Sequence, residues 1–140
     1  MKKPKIDNDL IEMIKQHEGF RDKPYHCSAN KLTIGWGHNL DDNGLSKEVS
    51  ESILKEDIER CYMDILSIFP NFYNYSQNRQ NALIDMIFNL GKSRFQLFKK
   101  MISAIIKGSW EHATREAKDS LWHSQVGMRA IEIENLLLKG

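Results

Sequence analysis

Long apolar runs, prolines and cysteines are scarce in this sequence of 140 residues. The longest apolar candidate, Met101 to Ile106, is far shorter than the ~18–20 residues of a membrane span. The N-terminal segment is basic, but no apolar stretch follows it, so we expect neither a secretory signal peptide nor a signal-anchor. The two cysteines, Cys27 and Cys61, are too few for a disulfide scaffold, and we expect two reduced thiols.

An excess of positive charge is also missing. The chain has 20 basic and 19 acidic residues, and this balance argues against a dedicated nucleic-acid-binding protein. The histidines have no spacing typical of zinc ligands, so we expect no metal site, and no cofactor is implied. Hydrophobic residues make up 41% of the chain, which is ordinary for a globular domain.

The hydrophobic pattern predicts one short strand region among helices. A first helix begins after Asp7 or Asn8 and ends at Gly19, and residues 32–38 form a strand between turns at 28–31 and 41–44. A long helix over about 46–69 ends at Pro70. Further helices are predicted over residues 77–90, 95–107, 110–117 and 128–138, with an aromatic loop at 71–76 and a break at 124–127.

These elements indicate a mostly helical α+β fold with segregated parts. We expect a single domain over residues 1–140. A small, turn-rich strand lobe would span about 20–45, and the helix over about 46–69 would join it to a helical lobe. That helical lobe would comprise about 77–140 together with the first helix.

Glu18 is the first candidate for catalysis. It shares a helix face with Leu10, Ile11 and Ile14, so apolar surroundings are expected, and it lies in the last helical turn. Desolvation and the helix dipole both disfavour the charged carboxylate there. A carboxyl group that keeps its proton near neutral pH can act as a general acid.

The residues after Glu18 form a specific string. Eight residues separate Glu18 from Cys27, and five separate Cys27 from Thr33. The string resembles the signature of the phage-type lysozymes, which are muramidase endolysins of tailed phages in glycoside hydrolase family 24, with Cys where most members have Asp. The matching positions are Glu18, Cys27, Thr33, Ile34, Gly35, Gly37 and His38.

The resemblance extends over nearly the whole chain and implies a lysozyme-like fold. It further implies hydrolysis of the β-1,4 bond between N-acetylmuramic acid and N-acetylglucosamine in peptidoglycan. Glu18 would protonate the leaving oxygen, and Cys27 and Thr33 would position or activate water. Asn39, Phe88 and Gln125 would contact the substrate. His38, Asp57 and Arg129 would support the site: His38 would pair with Asp57, and Arg129 would hold Glu18 in place.

The resemblance also implies a biological setting. The partner is bacterial peptidoglycan, with no nucleic acid and no membrane insertion. We expect a monomer in the host cytoplasm that depends on a holin for release to the cell wall.

The role of Cys27 is open. A thiol carries less charge than Asp, and we hypothesise that it positions water as a partial base with inversion at the anomeric carbon. A thiolate could instead attack that carbon as a nucleophile.

Three other functions compete. The chain could be a cysteine amidase with Cys27 as nucleophile and His38 as base. It could be a peptidoglycan-binding domain without turnover. It could also be a lytic transglycosylase, which uses one glutamate and leaves an anhydro sugar.

Overall fold

Helices and one small antiparallel sheet make up the computed structural model, which describes residues 2–140. The α+β prediction is therefore confirmed. The chain divides into two compact units, the first ending at Glu51 and the second covering Ser52–Gly140. The elements of the first unit are α1 (Asn8–Glu18), β1 (Arg21–His26), β2 (Leu32–Gly35), β3 (His38–Asn39) and α2 (Leu40–Asn43).

The boundary between the units falls inside α3 (Lys47–Ile68), which begins at the predicted cap: Ser46 Oγ accepts a hydrogen bond from the Val49 N–H at 3.1 Å. The remaining elements belong to the second unit. They are a short 3₁₀ helix (Phe72–Asn74), α4 (Gln77–Leu90), α5 (Lys92–Phe95), α6 (Lys99–Ile106), α7 (Trp110–Lys118), α8 (Leu121–Val126) and α9 (Met128–Lys139).

The sheet of the first unit has the order β1-β2-β3, and both pairings are antiparallel. Thr33 lies in the central strand, opposite Tyr25 on one side and Asn39 on the other. The ladder is irregular between Arg21 and Tyr25, where Pro24 lacks the N–H that a regular pairing needs. Thr33 is 3% exposed, so the middle of this small sheet is closed to solvent.

The sequence pattern missed β1 because four of its six residues are Arg21-Asp22-Lys23-Pro24, which have poor strand propensity. Pairing with β2 makes it a strand. The single strand predicted over 32–38 is two strands, because positive φ angles of 69° at Gly35 and 77° at Gly37 turn the chain between them.

The predicted turn at 41–44 is wrong. Residues Leu40–Asn43 form α2, whose cap is Asn39: its Oδ1 accepts a hydrogen bond from the Asp42 N–H at 2.9 Å. The first helix is also grouped differently, since α1 belongs to the unit of the strands and not to the helical unit.

The core of the second unit is apolar and aromatic. Helix α4 is its most deeply buried element, and its predicted bounds are confirmed, with Ser76 Oγ accepting from the Arg79 N–H at 3.3 Å. Phe69, Phe72 and Phe95 are fully buried, and Phe69 meets Phe95 edge to face with ring centroids 6.2 Å apart. Burying three such rings supplies a large part of the apolar area that stabilises this unit.

Two predicted boundaries in this unit are wrong. The helix expected over 95–107 is two helices, because the N–H groups of Leu97 and Phe98 bond three residues back, which tightens and ends α5. The break expected over 124–127 is confined to Gly127, at φ 60°, and residues before it belong to α8. The aromatic loop at 71–76 contains the 3₁₀ turn Phe72–Asn74.

A polar contact between His123 and the buried Glu134 joins α8 to α9. Both carboxylate oxygens of Glu134 lie within hydrogen-bond distance of His123 Nδ1, at 2.9 and 2.7 Å, and Glu134 is 1% exposed. On the same helix, Trp122 Nε1 donates to Asn89 Oδ1 of α4 at 2.9 Å. Helix α8 is therefore fixed by two specific polar contacts. Among the described helices, none combines the length and apolarity required to cross a bilayer.

Replacing His123 by Ala should destabilise the fold by about 3 kcal/mol, because it leaves the buried Glu134 carboxylate without its partner. Urea unfolding measures this free energy. Glu132→Ala is the matched control, since Glu132 is an exposed acid on the same helix and should change stability by less than about 0.5 kcal/mol. A His123→Phe/Glu134→Leu double variant should recover most of the loss. Equal stability of His123→Ala and the native chain would contradict the role of the pair.

Candidate active site

Glu18 lies against the turn between β2 and β3. Helix α1 ends at Glu18 because Gly19 takes φ 71° and returns its N–H to the Lys15 carbonyl at 2.9 Å. A Cβ atom built on Gly37 would stand 2.8 Å from Glu18 Oε2 and 3.0 Å from its Cδ. The carboxylate therefore occupies the space that a side chain at Gly37 would fill.

Aromatic packing holds this turn to the end of α1. The Trp36 ring stacks on Phe20 with centroids 4.6 Å apart, and Lys15 Nζ lies 4.6 Å from the Trp36 centroid. Stacking and cation–π contacts of this kind each contribute up to about 1 kcal/mol. They set the position of Gly37 under the Glu18 carboxylate.

The expectation that Glu18 faces apolar surroundings is wrong. Glu18 is exposed, and no residue of α1 is buried. The reason is that the sheet of this unit has three short strands and meets the helix near its C-terminal end instead of along its length. Placement over the turn, and not desolvation, is what distinguishes this carboxylate in the structure.

Cys27 opens the turn of the β1–β2 hairpin. Its N–H donates to the Lys31 carbonyl at 3.0 Å, and its own carbonyl accepts from the Asn30 N–H at 2.8 Å. Asn30 adopts φ 59°, a left-handed conformation that asparagine tolerates better than most residues. The tight turn brings backbone N–H groups round to the sulfur atom.

These N–H groups stabilise the thiolate. Hydrogen bonds from the backbone of Lys31, first, then of Ala29, and from the Thr33 hydroxyl lower the pKa of the Cys27 thiol below its usual value. Desolvation by burial raises the pKa of Cys27, but this effect is smaller than that of the hydrogen bonds. A helix N-terminus is the usual device for lowering a thiol pKa, and here a hairpin turn serves the same purpose.

Thr33 supports both the turn and the sulfur. Its hydroxyl donates to the Lys31 carbonyl at 2.8 Å and also takes part in the hydrogen bonding of Cys27. Since a hydroxyl has one proton, it donates to the carbonyl or to the sulfur at any one time. Loss of the thiol proton makes the sulfur the stronger acceptor, so Thr33 can respond to the charge of Cys27.

His38 and Asn39 both have structural partners in the first unit. His38 Nε2 donates to the Gly44 carbonyl at 2.6 Å. Asn39 caps α2, and its Nδ2 donates to Asp42 Oδ2 at 2.9 Å. These bonds hold β3 and α2 together.

Two aspartates that the sequence pattern did not single out organise the same region. Asp41 Oδ2 accepts from the Leu32 N–H at 2.6 Å, and Asp42 Oδ1 lies 3.0 Å from Lys31 Nζ. Both acids therefore fasten α2 to the turn that surrounds the Cys27 thiol. The spacing of Asn39 and Asp42, a cap residue and an acid three positions later, was the available signal.

Phe88 and Arg129 meet in the second unit. They line a groove of 460 Å³ on α3, α4 and α9, together with Leu54, Ile58, Tyr62, Asn81, Ile84 and Asp85. Arg129 Nε donates to Asp85 Oδ1 at 2.7 Å, and its Nη2 donates to the Asp85 carbonyl at 3.3 Å. Asp85 was not predicted, although it is the only acid on α4 and lies three residues before Phe88.

Gln125 and Asp57 lie elsewhere. Gln125 is exposed on α8 and does not line that groove. Asp57 pairs with Arg60 on α3. The pairings implied by the resemblance, His38 with Asp57 and Arg129 with Glu18, join residues of different units and stay predictions. The described residues contain no group of three His, Cys, Asp or Glu side chains that could hold a metal ion.

The chain matches a family model and several known proteins. The family model for phage lysozyme matches residues 15–134. The chain is 33% identical over 105 residues to an endolysin of Acyrthosiphon pisum secondary endosymbiont phage 1, with 69% of this chain and 68% of that one covered. It is 27% identical over 162 residues to a probable T4-type lysozyme 2 of Dictyostelium discoideum, covering 95% of both.

A third relative is much longer. The chain is 26% identical over 168 residues to a pre-baseplate central spike protein of Enterobacteria phage T4, and it spans 29% of that protein's length. The family match covers Glu18 and the turn that it contacts. The chain belongs to the phage lysozyme family and is a glycoside hydrolase.

Replacing Gly37 by Ala should displace Glu18, because the new Cβ would collide with its carboxylate. We expect hydrolysis to fall at least about 100-fold, the scale expected when a general acid is misplaced. Turbidity loss of a purified cell-wall suspension measures the rate.

Gly35→Ala is the matched control for Gly37→Ala. It places the same side chain at a similar positive φ, 69°, but has nothing within 4 Å of the added Cβ. Both variants should lose about 1–2 kcal/mol of stability from the left-handed backbone. Equal losses of activity in the two variants would show that strain, and not contact with Glu18, matters at Gly37.

The two thiols should react at different pH values. Hydrogen bonding lowers the pKa of Cys27, while burial, and then the charges of Asp64 and Asp57, raise the pKa of Cys61. Because the thiolate is the reactive form, iodoacetamide should label Cys27 at lower pH than Cys61. Labelling followed by peptide mass analysis measures both in one sample, and coincident pH profiles would refute the assignment. Cys27→Ser should remove only the low-pH component.

Proposed function

We propose that the chain hydrolyses the β-1,4 bond between N-acetylmuramic acid and N-acetylglucosamine in peptidoglycan. Two of the relatives bear the names endolysin and lysozyme, and the family match covers Glu18, Cys27 and Thr33. The observation that carries the proposal is the Glu18 carboxylate fitted over Gly37, because that close approach accounts for the Glu-Gly and Gly-x-Gly parts of the sequence string together.

Glu18 is the general acid in this mechanism. Its carboxyl group donates a proton to the glycosidic oxygen as the bond from that oxygen to the anomeric carbon breaks. A water molecule adds its hydroxyl to the anomeric carbon and releases a proton. The products are a new reducing end and a new free hydroxyl, so one water is consumed for each bond.

Cys27 and Thr33 position and activate that water. The lowered pKa of Cys27 increases the fraction of thiolate, and a thiolate can accept the proton that the attacking water releases. Thr33 contributes through its hydrogen bonding with Cys27, since it is itself buried. Direct attack of water on the anomeric carbon predicts inversion of configuration.

The cysteine amidase is less well supported. That reaction needs a histidine to take the thiol proton, and His38 has its Nε2 engaged with the Gly44 carbonyl. The thiolate of Cys27 is favoured by backbone N–H groups and Thr33 instead. An environment of donors without a paired imidazole suits a base for water better than an acyl-transfer nucleophile.

Phe88 contributes a substrate contact in this proposal. Phe88 offers a half-exposed ring in a groove whose polar groups are Asn81, Asp85 and Arg129, a combination that suits stacking and hydrogen bonding with a sugar. Asn39 and Gln125 are the other substrate residues, in keeping with the family resemblance. In the biological setting that we propose, the chain acts as a monomer that reaches the cell wall through a holin and lyses the host.

Replacing Glu18 by Gln should reduce the rate by about 100- to 10,000-fold, because the amide cannot donate the proton. Purified peptidoglycan is digested, and the products are examined for N-acetylmuramic acid reducing ends and by mass. The wild type should create these ends with the addition of one water.

Glu12→Gln is the matched control for Glu18→Gln, because Glu12 is an exposed acid on the same helix and should keep full activity. Free amino groups among the wild-type products would establish the amidase, and products lacking one water would establish the transglycosylase. Wall binding with no new ends at any pH would leave a binding domain. Cys27→Asp with activity retained and Cys27→Ser with activity lost would support the base role.

A further inference from the structure

A long stretch of the second unit has cations and no acids. Between Asp85 and Glu111 the sequence contains Lys92, Arg94, Lys99, Lys100 and Lys107, and all 19 acidic residues of the chain lie outside this stretch. The chain as a whole carries a net charge of only +1. The positive charge is therefore concentrated around α5 and α6.

These five cations are free at the surface. All five residues are exposed, and none has a carboxylate within salt-bridge distance among the described residues. Two acids come near from one side: Glu116 of α7 and Asp119, which follows that helix, line a small groove that also contains Lys99 and Lys100. Within residues 2–140, no acidic residue lines the groove that contains Lys107.

Large apolar side chains stand exposed among the cations. Leu97, in the turn between α5 and α6, is 73% exposed, and Ile106, at the end of α6, is 62% exposed. A groove of 370 Å³ runs beside α6, with Ile68, Ile102 and Ile106 as its apolar part and Lys99 and Lys107 among its polar residues. Lys99 lines both grooves, so the apolar and basic parts are continuous.

We propose that this surface, the five cations with Leu97 and Ile106, binds the face of an anionic phospholipid bilayer. Ammonium and guanidinium groups pair with lipid phosphates, and exposed leucine and isoleucine side chains enter the interface beside them. Met101, Ala104 and Ile105 of α6 are buried in the core, so the proposed binding is at the bilayer surface, without insertion of the helix.

A nucleic acid fits this surface less well. Binding of single strands uses aromatic platforms between the cations, and the exposed apolar groups here are aliphatic. A purely anionic wall polymer would be attracted by the lysines but would have no use for Leu97 and Ile106. The proposal goes beyond hydrolysis and does not depend on it, because none of these residues belongs to the proposed catalytic or substrate groups.

Vesicle binding tests the proposal directly. The full chain is sedimented with vesicles of phosphatidylglycerol and phosphatidylcholine, and with phosphatidylcholine alone. It should bind the anionic vesicles and not the neutral ones, and 0.5 M salt should release it. Lys99→Ser/Lys107→Ser should bind roughly thirty-fold more weakly, since each basic residue at an anionic surface strengthens binding about five-fold.

Lys55→Ser/Lys139→Ser is the matched control, because it removes the same charge from exposed positions outside this surface. It should change vesicle binding by less than about two-fold, since distant charges are screened. Leu97→Ser/Ile106→Ser should weaken binding several-fold without changing net charge. Hydrolysis of soluble peptidoglycan fragments should be equal in all these variants, which shows that they are folded.

If Lys55→Ser/Lys139→Ser lost as much vesicle binding as Lys99→Ser/Lys107→Ser, the proposal would be overturned, because binding would then follow net charge alone. Equal binding to neutral vesicles would overturn it too. So would a loss confined to binding of lipid-free cell walls, which would identify an anionic wall polymer as the ligand. A chain that binds anionic vesicles as expected but yields no reducing ends would retain this surface and lose the proposed hydrolase function.

Discussion

The close approach of Glu18 to Gly37 is the constraint on which the first unit depends. It requires a glycine at the turn, since any Cβ there would meet the carboxylate. It requires the helix to end at Gly19, and it requires Trp36 to hold the turn in place through Phe20 and Lys15. One contact thus explains why several small and aromatic residues are spaced as they are around a single acid.

A second feature follows from the same short sheet. The hairpin turn that begins at Cys27 directs backbone N–H groups at the sulfur and lowers its pKa, and Asp41 and Asp42 fasten that turn to α2. A lower pKa increases the fraction of thiolate at a given pH. The lowering of the Cys27 pKa therefore comes from hydrogen bonds within the hairpin rather than from a charged neighbour.

The second unit is held together by an aromatic core and by pairs of polar side chains. Its aromatic core and its buried His123–Glu134 pair fix the helices, while its surface carries the Asp85–Arg129 pair in one groove and the basic surface of α5 and α6 in another place. In a buried pair of this kind, the cost of desolvation offsets much of the attraction between the two groups, so its net contribution to stability is small. Its role is to hold α8 against α9.

Sequence periodicity and caps were enough to predict helices such as α4 between Ser76 and Gly91, and spacing singled out Glu18, Cys27 and Thr33 as candidates. These are local signals, read within a few residues. Tertiary structure decided the rest. Strand β1 exists only because β2 pairs with it, and Asp85 and Glu134 acquire partners 44 and 11 residues away. The exposure of Glu18 depends on how α1 meets the sheet, which no local pattern records.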